Sequence, residues 1–343
     1  MLADQLIRSF DTHDDAAFET ALNELGTSIP RLEPLEVARN AVALAAEIHR
    51  LPIGIGSYVT PMLGAMCGYG ADPATVLPAL VDGALRVLDN VAEFKALCAE
   101  SGIALPEDRD ESTFPATMET LIAAVGDALE TRKIAQLAES WFVGDAWVQP
   151  VLYLAQRKDV RIALPRRAEL AAAIKTHTED LSTAHWLHGL LLVLDDEPFV
   201  VLHRATAQGW RCTMSGIGDN FQLHTLLAGR FAEAVGAQSP SAVELAAANT
   251  GELEPQQGIT GTFNLVDAFG EWIWNEGRPA DIPRHDGTRV VVLDPPPYAR
   301  TWNAGRLYPL MLPTLTVDAQ LSADEAAAWL SKIKPDTRTG GQS

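Results

Sequence analysis

The sequence predicts an α+β protein. An irregular all-helical part over residues 1–180 is followed over 181–335 by a mostly antiparallel sheet of about six or seven strands with flanking helices. Three observations predict it. The front part repeats apolar residues at helical spacing, with prolines where helices start. Beyond Phe199, short β-branched and aromatic runs alternate with turn residues. Between them, residues 187–236 read in order as strands, a glycine corner and a capped helix.

Residues 2–25 suit one or two amphipathic helices, with Asp14 and Asp15 available at a start. Pro34 fits a first helical turn, and residues 35–49 continue it with Ala, Leu and Val. Residues 51–71 hold no charge and are long enough to span a bilayer. Five glycines, two prolines, Ser57, Tyr58 and Thr60 keep their hydropathy modest, so a soluble core is expected instead. Asp72-Pro73 is an N-cap followed by proline, opening a helix to about Glu100 that Pro78 and Gly83 are expected to interrupt. After an acidic loop, helices are expected over 115–140, 145–157 and 166–180.

Residues 187–194 are continuously apolar and short, which predicts a strand buried on both faces. Residues 199–203 read as the return strand. In 210–215, Trp210, Cys212 and Met214 alternate with Arg211, Thr213 and Ser215, so a third strand with one wet face completes a meander. Asp219 and Gln222 have capping-box spacing ahead of Leu223, Leu226, Leu227 and Phe231. Gly216-Ile217-Gly218 before them has the form of a phosphate cradle, but Asp219 sets a carboxylate where the anion belongs. A tight structural corner is the expectation. Ser241–Glu244 and Ser322–Glu325 cap two further helices. Residues 262–266 and 271–275 form a hairpin, 289–293 a strand, and 306–317 an edge segment with Pro309 and Pro313. Residues 336–343 are expected to be a disordered tail.

Of 343 residues 47% are hydrophobic and 21% charged, which gives a globular chain with a sizeable core. The net charge is −19, and residues 1–100 carry fourteen acids against six bases. Nucleic acid and anionic membrane are therefore not expected as partners, since both require clustered cations. Only six of the 26 basic residues are Lys, as in GC-rich bacterial coding. Cys67, Cys98 and Cys212 are far apart, and the N-terminus lacks a basic region followed by an apolar core, so a cytoplasmic location is expected.

Residues 271–308 concentrate the recognition chemistry. Arg278, Arg284, Arg289, Arg300 and Arg306 stand there without a Lys, among Trp272, Trp274, Tyr298, Trp302 and Tyr308. Guanidinium groups grip carboxylate or phosphate bidentately, and aromatic faces add rigid contact. Pairing of these arginines with Glu271, Glu276, Asp281, Asp286 and Asp294 is the structural alternative. Asp294-Pro295-Pro296-Pro297-Tyr298 resembles the motif with which amino-methyltransferases hold a flipped base, with one extra proline and no glycine-rich cofactor loop. The same prolines match ligands of proline-reading modules, and a rigid turn that positions Tyr298 and Trp302 is the expected role. His177, His185 and His188 share a helical sector only if one helix runs from 166 to 189, and whether they hold a metal stays open.

The functional expectation is a pocket for a small anionic or peptide-like ligand. Arg278, Arg300 and Arg306, with Trp302, Tyr298 and Asn220, would bind it. His224, His203 and Asp219 are the candidates for acid–base chemistry, because imidazole titrates near neutrality. The alternative is a non-catalytic adaptor whose helical half binds another protein.

Overall fold

Proline and aspartate set helix starts in the front half. Pro34 and Pro73 fill first turns, and Asp14 and Asp72 accept from Ala17 N at 3.0 Å and Ala74 N at 2.9 Å. The computed structural model describes residues 1–126, 129–250 and 256–337. The chain divides into two compact units, Met1–Leu191 and Leu192–Ser343.

Among the described residues the first unit has ten α-helices. They are α1 (Leu2–Asp11), α2 (Asp15–Ser28), α3 (Pro34–Glu47), α4 (Ile53–Met66), α5 (Pro73–Glu100), α6 (Phe114–Val125), α7 (Thr131–Leu154), α8 (Lys158–Ile162), α9 (Arg167–Lys175) and α10 (Ser182–Leu191). The expected break in α5 does not occur. Pro78 falls early in the helix, and Gly83 is retained because the Trp147 ring lies 2.6 Å from where a Cβ would sit. Gly56 on α4 faces the same ring, also without room for a Cβ. The indole is fully buried, and its Nε1 donates to Ile53 O at 3.0 Å. In place of helices over 115–140 and 145–157, α6 ends before 131 and α7 continues past Gly144. The uncharged stretch is α4 and a short turn, and no helix among the described residues is long and apolar enough to cross a membrane.

Of the strand expected over 187–194, residues 187–191 are the end of α10 and 192–194 lead out of it. Its leucines are good helix formers without β-branches, and Ala184, Leu187, Leu190 and Leu191 bury one helical face.

The second unit contains β1 (Glu197–His203), β2 (Gln208–Ser215), α11 (Asn220–Phe231), α12 (Ala242–Asn249), β3 (Gln256–Thr260), β4 (Asn264–Val266), β5 (Arg284–His285), β6 (Thr288–Asp294), β7 (Thr301–Ala304), β8 (Thr314–Gln320) and α13 (Ala323–Lys332). The main sheet has the order β4-β6-β1-β2-β8, with β5 beside β6, and β3 pairs with β7 separately. Only β1 and β6 pair in parallel; the rest of this α+β sheet is antiparallel. Both parallel strands are buried on two faces. Phe199, Val201, Val291 and Leu293 pack with Leu223 and Leu227 of α11, while Val200, Leu202, Val290 and Val292 pack with Ala326 of α13. The hairpin at 262–275 reduces to β4 and a single bridge from Val266 to Trp272. Residues 338–343 of the expected tail lie outside the described residues.

Emptying the slot between Gly56 and Gly83 tests this packing. Trp147→Ala is expected to lower stability by about 3–5 kcal/mol, read as a reduced denaturant midpoint by far-UV circular dichroism. An unchanged midpoint contradicts it.

Candidate functional site

Parallel pairing brings the ends of two buried strands together. His203 ends β1 in register with Leu293 on β6, and Asp294 ends β6 opposite Asn264, the first residue of β4. Buried apolar strands push their polar residues to such ends, and in open sheets ligands bind beyond the carboxyl ends of parallel strands.

Asp294 is buried. Its Oδ2 accepts from Arg204 Nε at 3.0 Å, while Oδ1 is buried without a partner among the described residues. Burial raises its carboxyl above the ordinary range, against the lowering effect of Arg204. His203 is buried beside it, with Nδ1 2.7 Å from Thr206 Oγ1. Burial lowers the imidazole, and the charge of Asp294 opposes that shift. The two groups are thus driven toward their neutral forms.

Asn264 joins this end to Arg300. Its Oδ1 accepts from Arg300 Nη2 at 3.0 Å, and its Nδ2 donates to Asp336 Oδ2 at 3.4 Å. Trp272 Nε1 donates to Asp336 Oδ1 at 3.0 Å. The Arg300 guanidinium stands 5.8 Å from the ring centroids of both Trp272 and Tyr298, and Trp274 lies 5.5 Å from Trp272. Tyr298 and Trp274 are exposed. Nε of Arg300 is buried without an acceptor, and among the described residues no carboxylate pairs with this guanidinium. Its neighbours differ: Arg284 and Arg289 both bind Glu197 on β1, at 2.7 and 3.0 Å. The expected local acids are therefore not the partners of these two.

His224 is fully enclosed. Its Nε2 accepts from Phe263 N at 3.1 Å, so the neutral ring carries its proton on Nδ1, beside Asn275 but without a well-formed hydrogen bond. Trp302 lies over it at 4.8 Å, and Gly261 leaves room for both rings. Burial first, then the charge of Arg300, pushes His224 down to about 3. Such a ring ties Phe263, just before β4, to α11, and its one acceptor nitrogen is already taken by Phe263 N.

The Asp219 corner is closed by protein. Asn220 N donates to Gly277 O at 2.9 Å, Phe221 N to Asn275 O at 3.1 Å, and Gln222 N to Asp219 Oδ1 at 2.7 Å. The return arm of the cap differs from the expected box, since Gln222 Oε1 accepts from Gly218 N. Asn220 Nδ2 donates to Trp274 O. Burial raises Asp219, and it raises Tyr308 to about 12 with Arg278 opposing. Arg306 donates to Met311 O at 3.2 Å and to Pro309 O, pinning its own loop.

Of the sequence-derived residues, the structure gathers His203, Tyr298 and Arg300 at the sheet end and links them through Phe263 to His224 and Trp302. Asp219, Asn220 and Arg278 lie at the start of α11, and Arg306 is not part of either group. Arg204, Asn264, Asp294 and Asp336 complete the first group and were not in that set. Asp294 alone carries a signal, an acid closing a run of four apolar residues. Among the described residues no group of His, Cys, Asp and Glu converges to hold a metal, and His177 instead meets Asp180 at 3.0 Å. Comparison with protein-family models, curated proteins and solved structures found no match for this chain.

Enclosure of His224 has a pH signature. Its ring protonates readily only in the unfolded chain, so stability falls as pH drops from about 6.5 toward 3, by about 1.4 kcal/mol per unit for one proton. His224→Gln keeps an acceptor for Phe263 N and is expected to flatten that slope in urea titrations between pH 6.5 and 4. An identical slope in the variant contradicts the neutral assignment.

Proposed function

We propose that the α+β unit binds a small anionic or peptide-like ligand at the carboxyl end of β1 and β6. The observation that carries this reading is Arg300, a guanidinium held over two aromatic rings, anchored by Asn264 and lacking an acidic partner among the described residues. Its fixed orientation leaves donors for a carboxylate or phosphate, while exposed Tyr298 and Trp274 offer faces to the remainder of the ligand. His203 and Asp294 at the same end are an acid–base pair suited to proton transfer on a bound substrate. Enzymatic activity is the extension of the binding reading and rests on those two residues. Three free buried cysteines support a reducing, cytoplasmic setting.

One observation favours the adaptor reading. A groove of about 830 Å³ in the helical unit is lined by Phe10, Phe18, Leu22, Ile55 and Tyr58, with Asp15, Glu19, His13 and Arg132 on its rim. An apolar groove with a rim of mixed charge suits an amphipathic segment of another protein.

A thermal-shift panel of small carboxylates, phosphates and short peptides tests the binding reading. At least one member is expected to stabilise the chain, by about 2.7 kcal/mol at a concentration of 100 Kd. Arg300→Ala should abolish the shift, judged against the variant's own unliganded melting temperature, which the loss of the hydrogen bond to buried Asn264 is expected to lower. A panel without a responder, or a shift retained in the variant, contradicts it.

A further inference from the structure

Arg86, on α5 of the helical unit, has its guanidinium 4.9 Å from the Trp147 ring centroid. Nη1 donates to His49 O at 2.8 Å, but Nε and Nη2 are buried without an acceptor among the described residues. No carboxylate among the described residues pairs with it. Stacking on an indole orients a guanidinium without neutralising it.

Arg86 lines a cavity of about 260 Å³, enclosed by the turn into α4 and by one face of α7 that bears Arg132, Gln136 and Glu139. Arg132 stands in the first turn of α7, where the helix dipole disfavours a cation, and it too lacks an ion pair among the described residues. Arg50 also borders the cavity, but Asp11 at 2.7 Å and Glu47 at 2.5 Å already neutralise it. Glu139 is the acid of the lining, and its Oε2 is engaged by Gly54 N at 2.9 Å. Two uncompensated cations therefore face one engaged acid, inside a protein whose net charge is −19.

We propose that this cavity is a binding site for a small oxyanion, the phosphate or carboxylate group of a metabolite, held by Arg86 and Arg132. Arg86 supplies a charge preset by its stacking on Trp147, and Arg132 closes over the anion from the helix surface. Glu139 limits affinity, since its charge opposes that of the ligand. Burial alone pulls the Arg86 guanidinium below its ordinary value, which an anion beside it reverses. The site lies within the helical unit and shares no residue with the Arg300 group.

Calorimetric titration of the full chain with inorganic phosphate and with succinate, at ionic strength fixed by sodium chloride, tests the proposal. Saturable binding of either is expected; phosphate alone assigns phosphorylated ligands, succinate alone carboxylic acids. Arg86→Met and Arg132→Ala should each weaken binding about tenfold, the loss of one charge-assisted hydrogen bond. Glu139→Gln should tighten it about threefold by removing a like charge. Arg300→Ala should leave it unchanged. Should Arg86→Met fail to fold, the Arg132 and Glu139 variants decide, since only an anion in this cavity moves their affinities in opposite directions. Absence of binding by both anions, affinities unmoved in those variants, or binding lost only in Arg300→Ala overturns the site.

Discussion

The helical unit depends on an indole set between two glycines. Trp147 needs Gly56 on α4 and Gly83 on α5, because a Cβ at either position would overlap the ring. Burying an indole removes roughly 150–250 Å² from water, about 4–6 kcal/mol at 25 cal/mol per Å². That gain far exceeds the ~1 kcal/mol that a glycine costs inside a helix, so two glycines are tolerated where propensity argues against them. Close approach also fixes Arg86 over the ring. Cation–π attraction contributes about 0.5–2 kcal/mol to this half-buried guanidinium but does not neutralise it. A counter-charge in the adjoining cavity is the complement that the proposed site would supply.

In the α+β unit the constraint is different. β1 and β6 are buried on both faces, by α11 on one side and α13 on the other, so neither strand has a wet face for polar chemistry. Titratable groups collect where the strands stop. There His203, Asn264 and Asp294 share one end, and burial drives His203 and Asp294 toward neutrality. Asp294 keeps one buried oxygen without a hydrogen-bond partner among the described residues.

Features governed by local chemistry were legible in the sequence. Asp72, Ser241 and Ser322 cap helices as their spacing implies, and the division into a helical front and a sheet-bearing back holds. What depends on partners distant in sequence was not. Gly83 reads as a helix breaker until Trp147, 64 positions later (147 − 83), explains it. Residues 187–194 fit a buried strand or a buried helix equally by hydrophobicity, and the α10 surface decided for helix. The parallel pairing of β1 with β6 joins residues some 90 positions apart, so the Asp294–His203 proximity had no local signal. Arginine pairing was similarly hidden, because Glu197 binds two guanidiniums across the sheet in place of their nearest acids.

The acidic balance bears on what such arginines can select. At physiological ionic strength a charge is screened over about 8 Å, so the distributed acids act as a diffuse field that repels extended polyanions. A guanidinium at hydrogen-bond distance acts inside that length, where one close pair outweighs many remote like charges. Arg86 and Arg300 are each fixed by an aromatic ring and by one hydrogen bond to protein, which removes the rotamer freedom that weakens exposed ion pairs. Orientation of that kind favours a single compact oxyanion over a chain of phosphates. For the two proposed sites, selection by size is what a few rigid cations within an otherwise repelling surface would supply.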